Sequence, residues 1–221
     1  ETLLDGCFLL GELSPRTSDA IVSFGELLSS QIIAVALQEK VSDAIFKDSR
    51  ELLKTNSNFG KATINLKLTN SLISNYFNSF KQSVVLLPGF IASDEKGNTT
   101  TLGRGGSDFT AAILANGCKA TSLEIWTDVS GMFTANPKLV KQAKPIESIS
   151  YHEAMELSHF GAKVLYPPTI QPVLNASIPI WIKNTFDADA NGTLISNAQE
   201  SNGNPVKGIS HIEDIALLTD R

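Results

Sequence analysis

The sequence is poor in cysteine and contains no cluster of basic residues. Cys7 and Cys118 are the only cysteines among the 221 residues, and neither lies in a CxxC or Cys/His spacing typical of zinc sites. We therefore predict reduced thiols and no structural metal. The formal net charge is -5, and no Lys/Arg block occurs. This charge balance disfavours nucleic acid and anionic membrane surfaces as partners.

The sequence also lacks long apolar runs and a leader segment. No unbroken apolar run approaches the ~20 residues that span a membrane, and no signal peptide opens the chain. The chain begins at Glu1 in a helix-like stretch and ends at Arg221, just after the strand-like run IEDIALLTD. These features predict a fragment of a longer, cytoplasmic protein.

Helix-like and strand-like segments alternate along the chain. Residues 14–40 have helical apolar spacing, with Ser14 or Ser18 as the capping residue, and the short apolar run within 83–93 is typical of a buried parallel strand. A helix is predicted over 107–116, with Gly117 as its C-cap, and a strand over 120–128. This order predicts an α/β fold with a largely parallel sheet.

The same patterns predict which side chains are buried. Trp126 and Trp181 are expected to be core residues of strands. The polar stretch 187–205 is predicted to be a loop or linker. The helical spacing within 14–40 is supplied by Ile21, Phe24, Leu28, Ile32 and Val35.

A glycine-rich turn lies within the stretch TTTLGRGGSDFTAAILANG, residues 99–117. A strand that ends in glycines and leads into a helix N-terminus presents free backbone N–H groups to an anion. Arg104 adds a planar fork of donors that suits a carboxylate or a phosphate, and Ser107 can cap the helix. Asp108 can hold an ammonium, so the pair Arg104 and Asp108 favours an amino acid over a bare phosphate.

Local chemistry alone leaves a second interpretation of this turn open. A tight turn with a capping serine and an aspartate that complements the helix dipole would have the same sequence. GRGGSD does not have the spacing of the Rossmann fingerprint, and no Gly-Lys-Ser/Thr follows to make a Walker A loop.

Two further stretches carry polar residues in positions suited to a nucleotide. Thr127 and Asp128 lie at the carboxyl end of a predicted strand, where open α/β sheets place ligands. Lys163 follows Gly161 in the stretch FGAKVLYP and can act as a point charge for phosphate. An Asx turn and a solvated lysine are the structural alternatives.

Four long motifs, taken together and in this order, resemble the aspartate kinase branch of the amino-acid kinase family. They are SFGELLSS (23–30), PGFIASDEKGNTTTLGRGGSD (88–108), EIWTDVSGMFTANPK (124–138) and SYHEAMELSHFGAKVLYPPTI (150–170). The resemblance implies a three-layer αβα sandwich with a mostly parallel sheet, the amino-acid kinase fold, truncated at its N-terminus. Residues 1–200 would form the C-terminal two-thirds of the kinase domain. Residues 201–221 would form a linker and the first strand of an ACT-type regulatory domain.

The resemblance also implies an activity, cofactors and site residues. Aspartate kinases phosphorylate the side-chain carboxylate of L-aspartate with ATP and Mg2+, the first step towards lysine, threonine and methionine. By motif match, the residues expected to contact aspartate are Glu26, Phe90, Arg104, Ser107 and Asp108, with Arg104 and Asp108 central to catalysis. The residues expected to line the nucleotide pocket are Thr127, Asp128, Phe133, Lys138, Lys163 and Val164. Relatives of this kind imply a homo-oligomer, with a dimer formed through kinase and regulatory domains.

The sequence departs from the family pattern in several places. The N-terminal K-F-G-G-T/S loop, which supplies a phosphate-binding lysine, does not occur in these 221 residues, so we expect little or no kinase activity from this chain alone. Phe133, Asn136, Lys138 and Tyr166 stand where Tyr, Asp, Arg and His are common. The later segments are similar to bifunctional enzymes that fuse aspartate kinase to homoserine dehydrogenase.

Two other functions remain open from the sequence. The first is that of another enzyme with the same fold, such as a glutamate, acetylglutamate or carbamate kinase. The segments TTTLGRGGSD and FGAKVL differ from the corresponding sequences of those relatives. The second is a regulatory or assembly fragment that binds aspartate or nucleotide without turnover.

Overall fold

The computed structural model describes residues 1–159, 165–197 and 206–211. The chain divides into two compact units, Glu1–Cys118 and Lys119–Arg221. Parallel strand pairing predominates among the described residues, in three separate sheets. This confirms the predicted α/β class. The predicted boundary at residue 200 and the strand predicted at the C-terminus fall at or within residues outside the described ranges and stay predictions.

The first unit contains four helices and five short strands within its described residues. β1 pairs in parallel with β3, while β4 pairs in parallel with β2 and antiparallel with β5. In chain order, the elements are α1 (Thr2–Leu10), α2 (Pro15–Gln38), β1 (Ile45–Phe46), β2 (Lys54–Thr55), α3 (Leu66–Asn78), β3 (Val85–Leu86), β4 (Ile91–Asp94), β5 (Thr99–Thr101) and α4 (Gly106–Cys118).

The second unit is built on a four-stranded sheet with the order β6-β8-β9-β7. β6 pairs in parallel with β8 and β7 in parallel with β9, while β8 and β9 are antiparallel. In chain order, the elements are β6 (Leu123–Thr127), β7 (Ser148–Ser150), α5 (Tyr151–His159), α6 (Gln171–Leu174), β8 (Ile180–Asn184) and β9 (Thr193–Ser196).

Helix α2 lies within the predicted range 14–40, but the apolar residues that predict it are not the ones it buries. The Ser14 hydroxyl caps it by accepting a hydrogen bond from the Thr17 amide at 3.2 Å. Its buried side chains are small or polar, namely Asp19, Ser23, Ser30 and Ala34, whereas Phe24, Leu28, Ile32 and Val35 are more than half exposed. The residues that give the segment its helical spacing therefore lie mostly outside the core. α2 packs on β5 and β1 through small side chains, which let the backbones approach closely.

By length and composition, α2 is also apolar enough to cross a membrane. The core helix of a globular protein and a signal sequence meet the same criterion, so one such helix is weak evidence for a span. α2 also carries the buried carboxylate of Asp19, whose oxygens accept hydrogen bonds from β5. Such bonds are typical of a helix folded against its own unit.

Helix α4 extends further than the sequence predicts. Gly117 lies inside the helix rather than at its C-cap, and the left-handed residue after the helix is Lys119, with φ of 55°. A Cβ atom at position 117 would come within 2.7 Å of Ile73 Cγ2, so the glycine allows α4 to pack closely on α3. The core around this contact includes Leu52, Leu53, Ile73, Ala92 and Ile113.

Two predictions for the second unit are also wrong. Part of the predicted loop 187–205 is strand β9, because Thr193–Ser196 is rich in β-branched residues and follows an Asn-Gly turn. Trp126 is 45% exposed rather than buried. Its face of the sheet also carries Lys183, whose ammonium lies 5.2 Å from the Trp126 ring centre and 2.9 Å from Glu124 Oε1.

Candidate functional site

The glycine turn joins β5 to α4 in the first unit. Gly103 and Gly105 both have left-handed backbone conformations, with φ of 70° and 71°, which favour glycine. The amide of Gly106 donates to the Gly103 carbonyl at 3.1 Å, and α4 begins at once. Arg104 and Ser107 are exposed at this turn, and Asp108 is half-buried in the first turn of the helix. The structure therefore has a glycine turn at the start of a helix, where the sequence predicts one.

Phe90 is brought to the same turn by the segment between β3 and β4. Its carbonyl accepts a hydrogen bond from the Leu102 amide at 3.0 Å, and its amide donates to the Thr110 hydroxyl at 3.1 Å. A Cβ atom at Gly106 would lie 2.9 Å from the Phe90 ring, and one at Gly89 would lie 2.9 Å from Ser107 Cα. The structure thus places Phe90 beside the Arg104–Asp108 turn.

Phe90 also has a strained backbone, with φ of 69° in a residue that is not glycine. A left-handed conformation costs a bulky residue about 1–2 kcal/mol relative to glycine. Strain of this kind persists where the surroundings hold the residue in place, and it is concentrated at functional sites. The strain is an independent reason to include Phe90 in the site.

A pair of substitutions separates the ring of Phe90 from its backbone strain. We expect Phe90→Gly to be more stable than Phe90→Ala by about 1 kcal/mol, because both lose the ring and only glycine relieves the positive φ. Both variants should lose affinity for the ligand of the turn equally. Urea denaturation and ligand titration of the two variants measure these effects. Equal stabilities would show that position 90 is not strained.

Burial raises the pKa of the Asp108 carboxyl above its usual range. The physical cause is desolvation, which disfavours the charged form of the carboxyl. A carboxylate in this situation gains most from a ligand that brings a positive charge. Asp108 is therefore suited to an ammonium group.

The raised pKa of Asp108 predicts how the stability of the protein depends on pH. The unfolded chain releases this proton at a lower pH than the folded chain, so wild-type stability falls as pH rises from the usual aspartate pKa through the raised one. We expect Asp108→Asn to be more stable than wild type at neutral pH, with the difference disappearing below the usual pKa. Chemical denaturation across pH measures this. A variant that is less stable at neutral pH would contradict it.

Glu26, the remaining predicted aspartate contact, lies half-buried on α2. Seven residues earlier, the Asp19 carboxylate accepts hydrogen bonds from the amides of Gly60 and Thr101 at 2.9 and 3.0 Å. Asp19 is not among the residues predicted from the sequence. The signal that could have revealed it is the polar stripe Asp19, Ser23, Glu26 and Ser30, at helical spacing on a helix otherwise rich in apolar residues.

In the second unit, Thr127 is the last residue of β6 and Asp128 follows it, so both lie at the strand end, as predicted. The Thr127 carbonyl accepts a hydrogen bond from the Thr185 amide at 2.8 Å, and its hydroxyl lies 3.2 Å from Asp128 Oδ1. Asp128 is exposed. These two side chains are available at the carboxyl end of a strand that pairs in parallel with β8.

The loop after Asp128 is held by a buried threonine that was also not predicted from the sequence. Thr193 is fully buried, and its hydroxyl accepts from the Met132 amide at 2.8 Å and donates to the Ile146 carbonyl at 2.6 Å. Gly131, with φ of 108°, lies against it. The signal that could have revealed Thr193 is its position directly after the Asn191-Gly192 pair, which is typical of a turn before a strand.

The other predicted nucleotide contacts are divided between described and undescribed residues. Phe133 is half-buried and bridges to Pro145, while Lys138 is exposed, with its amide donating to Asn136 Oδ1 at 3.0 Å. Lys163 and Val164 lie outside the described residues. Within the described ranges, no three His, Cys, Asp or Glu side chains group into a metal site.

A glycine turn at a helix N-terminus and a polar strand end are features of proteins that bind small anionic ligands. The chain belongs to the amino acid kinase family, whose model matches residues 9–184. It is 40% identical over 207 residues to lysine-sensitive aspartokinase 3 of Escherichia coli, an alignment that covers 91% of this chain and 46% of the relative. It is 38% identical to a bifunctional aspartokinase/homoserine dehydrogenase of Buchnera aphidicola, covering 99% of this chain and 27% of the relative.

Aspartokinases are also found among the solved structures that this chain resembles. A crystal structure of E. coli aspartokinase III in complex with aspartate and ADP matches with a TM-score of 0.80 and 38% identity, covering 90% of this chain and 46% of that one. UMP kinase from Bacillus anthracis matches with a TM-score of 0.56 at 17% identity, which shows a shared fold alone. The chain spans less than half the length of these aspartokinases.

Proposed function

We propose that the protein containing this chain is an aspartate kinase, which transfers the γ-phosphoryl group of ATP to the side-chain carboxylate of L-aspartate and forms 4-phospho-L-aspartate. Identity of 40% with an aspartokinase supports this substrate. The observation that carries the proposal is the glycine turn. It presents the exposed Arg104 four residues before the half-buried Asp108, whose pKa is raised by burial.

The proposed chemistry of the turn is recognition of an amino acid by both of its charges. Arg104 donates to the α-carboxylate and Asp108 accepts from the ammonium, with Glu26, Phe90 and Ser107 as further contacts. The side-chain carboxylate is then left to act as the nucleophile. It is already ionised at neutral pH, so it needs no general base. Catalysis therefore depends on positioning and charge neutralisation.

The proposed nucleotide contacts are Thr127, Asp128, Phe133, Lys138, Lys163 and Val164. Phe133 lacks a hydroxyl but can pack its ring against the base, and Lys138 can neutralise phosphate charge. Mg2+ favours phosphate oxygens and retained waters over protein ligands. We propose that Mg2+ enters bound to ATP and that the exposed carboxylate of Asp128 belongs to the same site.

We further propose a cytoplasmic, homo-oligomeric enzyme, with residues 1–200 in the kinase domain and 201–221 leading into a regulatory domain. The E. coli relative is known in an R-state with aspartate and ADP and in a T-state with lysine and aspartate. Two such states in a relative support allosteric control of this protein. The contacts that form a dimer are proposed to involve both domains.

Trapping of the product by hydroxylamine tests the function. The gene-encoded protein is incubated with Mg-ATP and either aspartate, glutamate or acetylglutamate, and the acyl phosphate is converted to a hydroxamate. We expect the gene-encoded protein to form product with aspartate but not with glutamate or acetylglutamate. The 221-residue chain, assayed in parallel, should form much less product. Product with glutamate or acetylglutamate instead would assign the protein to another family branch. Binding of aspartate without product from the gene-encoded protein would support a non-catalytic role.

A further inference from the structure

Asp19 is a buried carboxylate outside the proposed aspartate and nucleotide contacts. It lies on α2 and is only 4% exposed. Its Oδ2 atom accepts hydrogen bonds from the amides of Gly60 at 2.9 Å and Thr101 at 3.0 Å, and its Oδ1 atom accepts from the Thr101 hydroxyl at 2.8 Å. A buried charge is costly unless it is hydrogen-bonded. These three bonds satisfy the hydrogen-bonding needs of the carboxylate. They also fix its distance from the loop that contains Gly60 and from the end of β5.

The groups that Asp19 binds lie at the base of the glycine turn. Thr101 is the last residue of β5, two residues before Gly103, and its carbonyl accepts a hydrogen bond from the Ala62 amide at 3.1 Å. The Gly60 carbonyl oxygen would lie 3.3 Å from a Cβ atom at Gly103. The loop around residue 60 therefore packs against the turn at Gly103, and Asp19 is hydrogen-bonded to both this loop and the end of β5.

The same helix carries Glu26, two turns further on. Residues seven apart lie on nearly the same face of a helix, separated by about 10 Å along its axis. α2 packs directly on β5. The Asp19 bonds therefore set the register of the helix that carries Glu26 against the strand that leads to Arg104.

We propose that Asp19 is a positioning residue, which fixes the aspartate-binding turn 103–108 against helix α2. This inference rests on the proposed function for its choice of ligand. Asp19 does not touch the substrate; it acts through Thr101 and Gly60. Loss of its carboxylate should displace the turn and weaken aspartate binding, while residues of the second unit retain their affinity for nucleotide.

Steady-state kinetics of the gene-encoded enzyme test the proposal. We expect Asp19→Ala to raise KM for aspartate about 10- to 100-fold, because small displacements of a binding group have effects of this size, and to change KM for Mg-ATP less than threefold. Asp19→Asn should restore most of the affinity. Its amide oxygen can accept both backbone hydrogen bonds, and its NH2 group can donate to the Thr101 hydroxyl.

Asp94 provides a matched control at the far end of the β4–β5 hairpin. It is 2% exposed, and its carboxylate accepts hydrogen bonds from the amides of Lys96 and Asn98 and from the Ser57 hydroxyl. Asp94→Ala removes a similar buried carboxylate, whose hydrogen bonds are to Ser57, Lys96 and Asn98 and not to Gly60, Thr101 or the turn. We expect it to lower stability without a selective rise in KM for aspartate. A rise in that KM equal to that of Asp19→Ala would overturn the proposal, as would equal changes in both KM values in Asp19→Ala.

A substrate-free measurement separates this proposal from the proposed function. Hydrogen exchange should become faster at the amides of Gly60, Thr101 and residues 103–106 in Asp19→Ala but not in Asp94→Ala. If Asp19→Ala does not fold, Thr101→Val, which removes only the hydroxyl bond, should show a smaller change at the same amides. Unchanged exchange overturns the positioning role. Absence of aspartate phosphorylation by wild type overturns the function and leaves the exchange result standing.

Discussion

Arg104→Ala should abolish most of the affinity for aspartate while leaving nucleotide binding nearly intact. Hydrogen bonds to a charged group contribute about 1.5–3 kcal/mol, so loss of the guanidinium should weaken aspartate binding about 100-fold. Nucleotide affinity should change less than about threefold, since Arg104 is not among the residues proposed to contact nucleotide. Calorimetric titrations of the gene-encoded protein with aspartate and with Mg-ATP measure both affinities.

Arg104→Lys is the matched control for this effect. Lysine retains the positive charge but loses the planar fork that binds a carboxylate with two parallel hydrogen bonds. We expect an intermediate loss of aspartate affinity, about tenfold. If Arg104→Ala weakens aspartate and nucleotide equally, Arg104 is a phosphate ligand, and the assignment of the turn to the amino acid is wrong.

Gly131→Ala should strongly destabilise the second unit. The backbone at Gly131 has φ of 108°, and a Cβ atom there would lie 2.4 Å from the Thr193 hydroxyl oxygen and 2.9 Å from its amide nitrogen. Both atoms are buried in the anchor that holds the loop after Asp128. We expect a loss of at least about 3 kcal/mol, from backbone strain and from the broken hydrogen bonds.

Gly97→Ala separates the clash from the backbone strain. Gly97 has a comparable left-handed conformation, with φ of 78°, but a Cβ atom there meets no other atom within 4 Å. Its cost should be only about 1 kcal/mol. Thermal denaturation of both variants and nucleotide titration of Gly131→Ala measure the difference. Equal destabilisation by the two substitutions would show that the packing of Gly131 on Thr193 contributes nothing.

Local rules predict the parts of this fold that depend on local chemistry. The Ser14 cap, the bounds of α2 and the left-handed glycines at 103 and 105 all follow from the conformations that these residue types favour. The identity of the turn as a strand-to-helix connection could be predicted for the same reason. Amino-acid type alone determines much of the backbone in these segments.

Features that depend on distant residues could not be predicted. Phe90 adopts a positive φ because Thr110 and Leu102 bind its backbone, and no glycine marks the position. Asp19 was missed because helical periodicity assigns apolar residues to the core, whereas α2 buries its polar stripe on β5. The role of Thr193 likewise depends on partners 47 and 61 residues away.

The positions of the tryptophans make the two units distinguishable by spectroscopy. The chain contains two tryptophans, Trp126 on β6 and Trp181 on β8, and both belong to the second unit. Intrinsic tryptophan emission therefore reports the environment of that sheet and has no source in the first unit. The three tyrosines do not share this selectivity, because Tyr76 lies in the first unit. Fluorescence during unfolding, followed beside circular dichroism, would thus assign the transition altered by each substitution to one half of the chain.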